Sequence, residues 1–319
     1  MSSTSARRGR GRPAALFALL GALAALLAGC GAGAGEKPAG TRLTVTQDFG
    51  ARAERRLEAP EVSGSETVMR LLQRNAKVTT RFGGGFVQSI DGVAGGRRGG
   101  RPFDWFYYVN GVEASEGAAA VRLHPGDRVW WDRHDWGAAQ RVPAVVGSFP
   151  EPFLHGIGGR RLPVRIECVD IDAPACRTVF ERLAELGVPA ARGGLRTAQT
   201  EQTLRVIVGP WTQVRADRAF GPVEEGPARS GVYARPSADG RRIATLDARG
   251  RTTRTLGAGA GLIAAAREGD GPPVWAVTGT DPAGVEAAAA QFTERALERR
   301  FALAVAGGRP IPLPEAPAR

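Results

Sequence analysis

The sequence predicts an α+β protein with a small sheet-rich domain over residues 42–136 and a separate α/β domain over residues 163–305. Three observations carry this. Over 42–136, short runs alternate apolar and polar residues and stop at Asp-Gly, Asn-Gly and Pro-Gly pairs, the pattern of half-buried strands joined by tight turns. Beyond residue 163, strand patterns alternate with helical ones, as in α/β folds. Between the two, residues 137–162 are rich in Pro and Gly and read as a linker. A chain of 319 residues, 43% hydrophobic and 24% charged, is long enough for two cores.

Residues 1–12 are polar and Arg-rich, and an apolar run from Ala14 to Gly29 follows. A membrane-spanning helix needs about 20 apolar residues. This run is shorter and ends in small residues, so 1–29 read as a signal peptide. Leu27-Ala28-Gly29-Cys30 resembles the lipobox of bacterial lipoproteins. The resemblance implies cleavage before Cys30 and acylation (palmitate) of its thiol, which places the protein on the extracytoplasmic face of a bacterial cell membrane. Two acyl chains hold a protein firmly where one does so marginally. The alternative is an uncleaved apolar anchor with an incidental Cys. The Arg7-Arg8 pair lacks the apolar pair of twin-Arg export, so ordinary secretion is expected. Residues 30–41 form a flexible tether. The formal charge is +11, and loss of Arg7, Arg8, Arg10 and Arg12 with the leader leaves +7. Such a surface would be drawn to anionic lipid or wall polymers, or simply keeps the protein soluble; nucleic acid is not expected as a partner.

Leu43 and Val45 alternate with polar residues and mark the first strand; Arg52 to Glu58 is a weaker second. Ser65 to Arg74 is a short helix, with Ser63 or Ser65 as its cap and Val68, Leu71 and Leu72 facing inward. Gly83-Gly84-Gly85 breaks the chain, and Phe86 to Ile90 is a strand ending at Asp91-Gly92. Residues 94–101 are a basic, Gly-rich loop. Asp104 to Val109 is an aromatic strand that turns at Asn110-Gly111, a strong hairpin signal. His124-Pro125-Gly126-Asp127 is a turn into a last strand, Arg128 to Trp136.

Four segments recur here in a known order: Ser89-Ile90-Asp91-Gly92-Val93, then Trp105-Phe106-Tyr107-Tyr108-Val109-Asn110-Gly111, then Leu123 through Gly126-Asp127, then Val129-Trp130-Trp131. They resemble the DUF4430 family, the transcobalamin-like C-terminal domain. The resemblance covers 42–136, under a third of the chain, and implies a β-grasp-like module of bacterial surface proteins. Residues 94–101 look like an insertion in that pattern. In the animal cobalamin carriers this module closes over a corrin opposite a helical domain. No such helical domain is expected here, so a corrinoid ligand is an analogy only.

In the second domain, Val164 to Ile171 is a strand and Ala175 to Leu186 a helix ended by Gly187-Val188-Pro189. Leu204 to Val208 is a strand. Gly231 to Ala234, Arg241 to Leu246 and Arg251 to Leu256 form a meander. Leu262 to Arg267 reads as a short helix, Pro273 to Thr278 as a strand, and Pro282 to Arg300 as a long helix capped by Asp281. Residues 306–319 are a Pro-rich, loose tail. Cys168 ends a strand and Cys176 begins a helix. Outside the cytoplasm two nearby thiols tend to oxidise, so a disulfide is expected ahead of free thiols, and a metal site lacks the His to complete it.

The aromatic cluster carries the functional reading. Alternation puts Trp105 and Tyr107 on one face of their strand and Phe106 and Tyr108 on the other. In the last strand Trp130, Asp132, His134 and Trp136 share a face. Trp105, Tyr107, Trp130, Asp132, His134 and Trp136 are therefore the expected ligand-binding residues, because exposed rings beside polar groups suit recognition. The competing reading is that the second domain covers this face. Asp132 and His134 are two metal ligands where three are needed, so no metal is expected and His134 reads as a surface residue. No Gly-x-Ser-x-Gly or Ser-His-Asp pattern is visible, and no catalytic residue or cofactor is expected. Gly257 to Gly261 resembles part of a phosphate-binding turn but has the wrong spacing, and tight packing is preferred. The expected role is recognition of a ligand or partner at the cell surface, linked to uptake through a transporter. Two alternatives stay open: an enzyme with an unrecognised site in the α/β domain near Glu167, Asp170 and Asp172, and a structural envelope protein.

Overall fold

The computed structural model describes residues 40–59, 65–195 and 201–316. The expected signal peptide, Cys30 and nearly all of the tether lie outside these residues. Among the described residues no helix is long and apolar enough to cross a membrane. The molecule is mixed α+β, mostly sheet with few helices.

Strands β1 (Thr41–Gln47) and β2 (Arg52–Ala59) form an antiparallel hairpin. Helix α1 (Val68–Asn75) follows, capped by Thr67 rather than by Ser63 or Ser65: Thr67 Oγ1 accepts from Arg70 N at 3.2 Å. Its buried stripe holds Val68, Leu71 and Leu72, as the spacing predicts, and Met69 besides. A small sheet of β3 (Val78–Arg81), β4 (Phe86–Ile90) and β5 (Val93–Ala94) comes next. The basic loop is not free: β6 (Gly96–Arg98) pairs antiparallel with β7 (Arg101–Val109). Strand β8 (Val112–Glu113) folds back on β7 across Asn110-Gly111, both left-handed at φ +52° and +79°, and β9 (Arg128–Asp135) closes the sheet. The order is β2-β1-β9-β7-β6, with β1 parallel to β9 and α1 packed on one face.

Residues 137–162 carry no named helix or strand, yet Val142, Val145, Val146, Phe149 and Phe153 are buried. The second sheet has the order β11-β10-β12-β17-β16-β18-β19. Its strands are β10 (Val164–Cys168), β11 (Ala190–Gly194), β12 (Leu204–Pro210), β16 (Gly261–Ala266), β17 (Val274–Gly279), β18 (Ala302–Ala306) and β19 (Arg309–Leu313). The first four in that order are parallel, joined by crossovers such as α2 (Pro174–Glu185), and the rest antiparallel. The meander is β13 (Ala234–Pro236), β14 (Ile243–Leu246) and β15 (Thr252–Leu256). Two single-turn helices, α3 (Trp211–Val214) and α4 (Pro227–Ser230), precede it.

Three expectations are corrected here. Leu262 to Arg267 is strand β16: the Leu-Ile-Ala-Ala-Ala run is buried on both faces between β17 and β18, where a short apolar run suits a central strand. The long helix is two, α5 (Pro282–Ala290) and α6 (Glu294–Leu297), because Thr293 starts a new helix by accepting from Ala296 N at 3.3 Å. The C-terminal segment is no loose tail as far as Leu313, because β19 completes the sheet. Pro310 and Pro312 fit there because β19 is an edge, where missing N–H groups cost nothing. The Cys168–Cys176 disulfide is present and buried, joining the end of β10 to the first turn of α2.

The described residues form one compact unit. One core cluster runs from Phe49, Tyr108 and Trp130 of the first sheet's region to Tyr233, Leu262 and Phe301. Phe301 stands edge-on to Phe49, Tyr108 and Trp130 with ring centroids 5.0–5.7 Å away. The regions expected as two separate domains thus share apolar packing.

Candidate functional site

Register decides which aromatic residues meet. Tyr107 pairs with Trp131, Tyr108 with Trp130, Phe106 with Asp132 and Asp104 with His134. Paired side chains share a face. Trp105 and Tyr107 therefore lie with Leu43, Val45 and Trp131 on the face packed by α1. Trp130, Asp132 and His134 lie on the opposite face. The six expected binding residues do not form one surface.

A groove of about 410 Å³ gathers Trp105, Tyr107 and Trp136 with Trp131, Asp104 and Glu113. Tyr107 stacks on Trp131 at 4.8 Å between centroids. The polar ends of the rings are anchored: Trp105 Nε1 donates to Val93 O at 2.9 Å, Tyr107 OH to Glu116 O at 2.6 Å, and Trp136 Nε1 to Asp104 Oδ2 at 2.9 Å. The rings are thus fixed, but Trp105 and Tyr107 are themselves core residues, 5% and 8% exposed, so of the three only half-buried Trp136 offers a face to the groove. Burial holds the carboxyl of Asp104 above its ordinary range, against the Trp136 hydrogen bond and nearby Arg133. Burial does the same to Glu113, against Arg141, whose Nε lies 3.2 Å away. Half-buried Trp136, with two carboxyl groups beside it, can stack on a flat or sugar-like face and accept hydrogen bonds from hydroxyl or ammonium groups. The sequence reading missed Asp104 and Glu113. Glu113 was within reach of it, because a two-residue Asn110-Gly111 turn sets Glu113 opposite Tyr108.

Residues 65–135 match the family described as "Domain of unknown function (DUF4430)". The resemblance drawn from the four motifs is borne out for this segment. No curated protein matches the chain. Among solved structures, one from Ruminococcus gnavus ATCC 29149, described as a "putative metal binding protein", is similar at 14% identity and a TM-score of 0.25, over 30% of this chain and 97% of its own.

The groove's residues from Phe86 to Trp131 fall within the DUF4430 segment, and Trp136 and Gln140 lie just after it. On the other face of the same segment, Trp130, Asp132 and His134 are 3%, 0% and 2% exposed. His134 is a core residue, not a surface one: its ring lies between Phe49 and Phe106, at 4.6 and 4.5 Å. Its Nδ1 sits 2.9 Å from Asp132 Oδ1. Asp132 also accepts from Thr46 Oγ1 and from the backbone N–H groups of Phe49 and Gly50, at 3.0 and 2.9 Å for the last two. Trp130 Nε1 donates to Thr46 Oγ1 at 2.7 Å. This network holds the β1–β2 turn, where Asp48 and Phe49 are left-handed at φ +55° and +59°. Gly50 is required there: at φ +80°, an added Cβ would lie 2.1 Å from Arg299 O. Asp132 and His134 are satisfied by each other and by this turn. Among the described residues no group of three His, Cys, Asp or Glu is placed to hold a metal.

The carboxylates considered for an enzyme are dispersed. Glu167 is buried and gripped by Arg205, with Nη2 at 2.8 Å, and Arg205 also holds Asp217. Asp170 and Asp172 are exposed, and Asp170 Oδ1 accepts from Asp172 N in a local turn. The Gly257–Gly261 segment packs: Gly259 N donates to Asp281 Oδ2 at 2.8 Å, and a Cβ on Gly261 would lie 2.5 Å from Gly284 O.

Proposed function

We propose that the protein is a lipid-anchored recognition protein on the extracytoplasmic face of a bacterial cell membrane. Its DUF4430 segment captures a ligand or partner in the aromatic groove, in service of uptake through a transporter. The observation that carries this reading is the groove itself: a half-buried Trp136 beside the buried, anchored rings of Trp105 and Tyr107, and two carboxyl groups whose burial is not fully offset. A β-grasp-like reading of 42–136 is supported by the sheet order and by the parallel pairing of its first and last strands beneath α1. The leader pattern ending at Cys30 supports the anchor, and the Cys168–Cys176 disulfide fits an oxidising compartment. Corrinoids stay an analogy with the cobalamin carriers; the groove's chemistry favours polyols and amines.

Two measurements test this. Cys30→Ala should release the protein from membranes or leave an uncleaved precursor, and maturation and fractionation like wild type would contradict the anchor. A thermal-shift screen of oligosaccharides, polyamines, cobinamide and cobalamin should return a stabilising ligand for wild type. A panel without any shift would contradict small-molecule capture.

A further inference from the structure

A second cavity, of about 580 Å³, lies between the β1–β2 turn, the β6–β7 hairpin, the β14–β15 connection and the residues after β19. That volume is in the range of small-molecule sites. Three carboxylates line it, and each already has cations or donors. Asp48 pairs with Arg52 at 2.8 Å, Asp135 with Arg101 Nε at 2.6 Å, and Glu315 with Arg254, Thr245 and Thr253. Exposed Arg98 and Arg249 line the same cavity; Asp247 accepts from the Arg249 backbone N–H, but among the described residues no carboxylate pairs with either guanidinium.

The hairpin makes this surplus of charge local. Arg98 stands directly opposite Arg101 across Gly99-Gly100, both left-handed at φ +57° and +77°. Like charges opposed across an antiparallel pair destabilise it, and Asp135 answers only Arg101. Arg133 adds a third guanidinium, stacked over the Phe103 ring at 4.7 Å with Arg101 at 5.4 Å. Burial, together with the charges of Arg98 and Arg52, pulls its pKa down although Asp48 opposes this. Phe103, Phe49, Ala248 and Pro314 supply apolar wall. The wall at Asp48 and Phe49 is a left-handed turn of two non-glycine residues, a conformation that persists where surroundings over-determine it.

We propose that this cavity binds a small organic anion, a carboxylate or phosphomonoester on a flat apolar body, with Arg98 and Arg249 gripping the anion and Ala248 and Pro314 lying along the body. The basic segment 94–101, read from the sequence as an insertion in the DUF4430 pattern, becomes one wall of the site. The proposal does not depend on the aromatic groove.

Titration calorimetry of the full chain with phenyl phosphate, inorganic phosphate and phenol tests it. Phenyl phosphate should bind more tightly than either fragment. Arg98→Gln with Arg249→Gln should weaken it by about tenfold or more, as loss of charge-assisted contacts does, with the melting temperature unchanged. Arg70→Gln with Arg241→Gln, which removes equal charge elsewhere, should leave it unchanged. Absence of phenyl phosphate binding, or equal losses in both double variants, would overturn the site. A loss seen only with phosphatidylglycerol vesicles, and not with phenyl phosphate, would also overturn it, because the arginines would then serve a lipid surface.

Discussion

His155 Nδ1 lies 2.5 Å from Glu151, whose carboxylate is almost wholly buried, and this hydrogen bond holds the His155 pKa above its ordinary value against partial desolvation. A histidine whose folded pKa is raised contributes stability that is complete below its unfolded value and is lost as pH rises through the folded one. The advantage of wild type over His155→Gln should therefore be complete below the ordinary histidine range and fade as pH rises beyond it. Solvent reaches the ring, so the effect should stay below about 1 kcal/mol. Melting curves of both proteins across that range check the sign; an advantage growing with pH would contradict it. Neither this pair nor the Asp132 network could be read from the sequence. Asp132 and His134 were visible as neighbours on one strand face, but the donors that satisfy Asp132 come from Thr46, Phe49 and Gly50, more than eighty residues away. Spacing along one strand says which residues share a face, not what covers that face.

Elements bounded by strong punctuation were legible. Asn110-Gly111, Asp91-Gly92 and the Asp281-Pro282 helix start all sit where the turn and cap chemistry puts them. Elements made of Ala-rich runs were not: Leu262 to Ala266 suits helix by propensity, and only its place between β17 and β18 makes it a strand. The β18–β19 hairpin, which turns at the left-handed Gly307-Gly308, was hidden because Pro310 and Pro312 read as a tail until the edge position explained them. The Cys168–Cys176 bond closes a short loop with a sequence separation of 8. On loop-entropy reasoning, its removal in the double variant Cys168→Ala with Cys176→Ala should cost about 2–3 kcal/mol. Urea unfolding measures this. A loss within error would mean that α2 and β10 hold that junction without the bond.

At the scale of the molecule, the separation expected at residues 137–162 meets a core that crosses it. Phe301 from β18's approach fills the space between Phe49, Tyr108 and Trp130, and no local pattern could have announced so distant a partner. Calorimetry should accordingly show one cooperative transition, and two resolved transitions would contradict a shared core. Packing under α1 buries Trp105 and Tyr107 on the other face of the same sheet. Trp130, Asp132 and His134 are inside, while Trp136 stands half-buried at the groove, its Nε1 donating to Asp104 and its backbone N–H to Pro102 O. The most direct test of ligand capture is therefore Trp136→Ala, measured for stability and for affinity toward whichever compound stabilises wild type. The expected result is an affinity loss of about 2 kcal/mol, roughly thirtyfold, with a nearly unchanged melting temperature. A stability loss of about 3–5 kcal/mol with affinity unchanged would make Trp136 a packing residue and contradict the groove as a binding site.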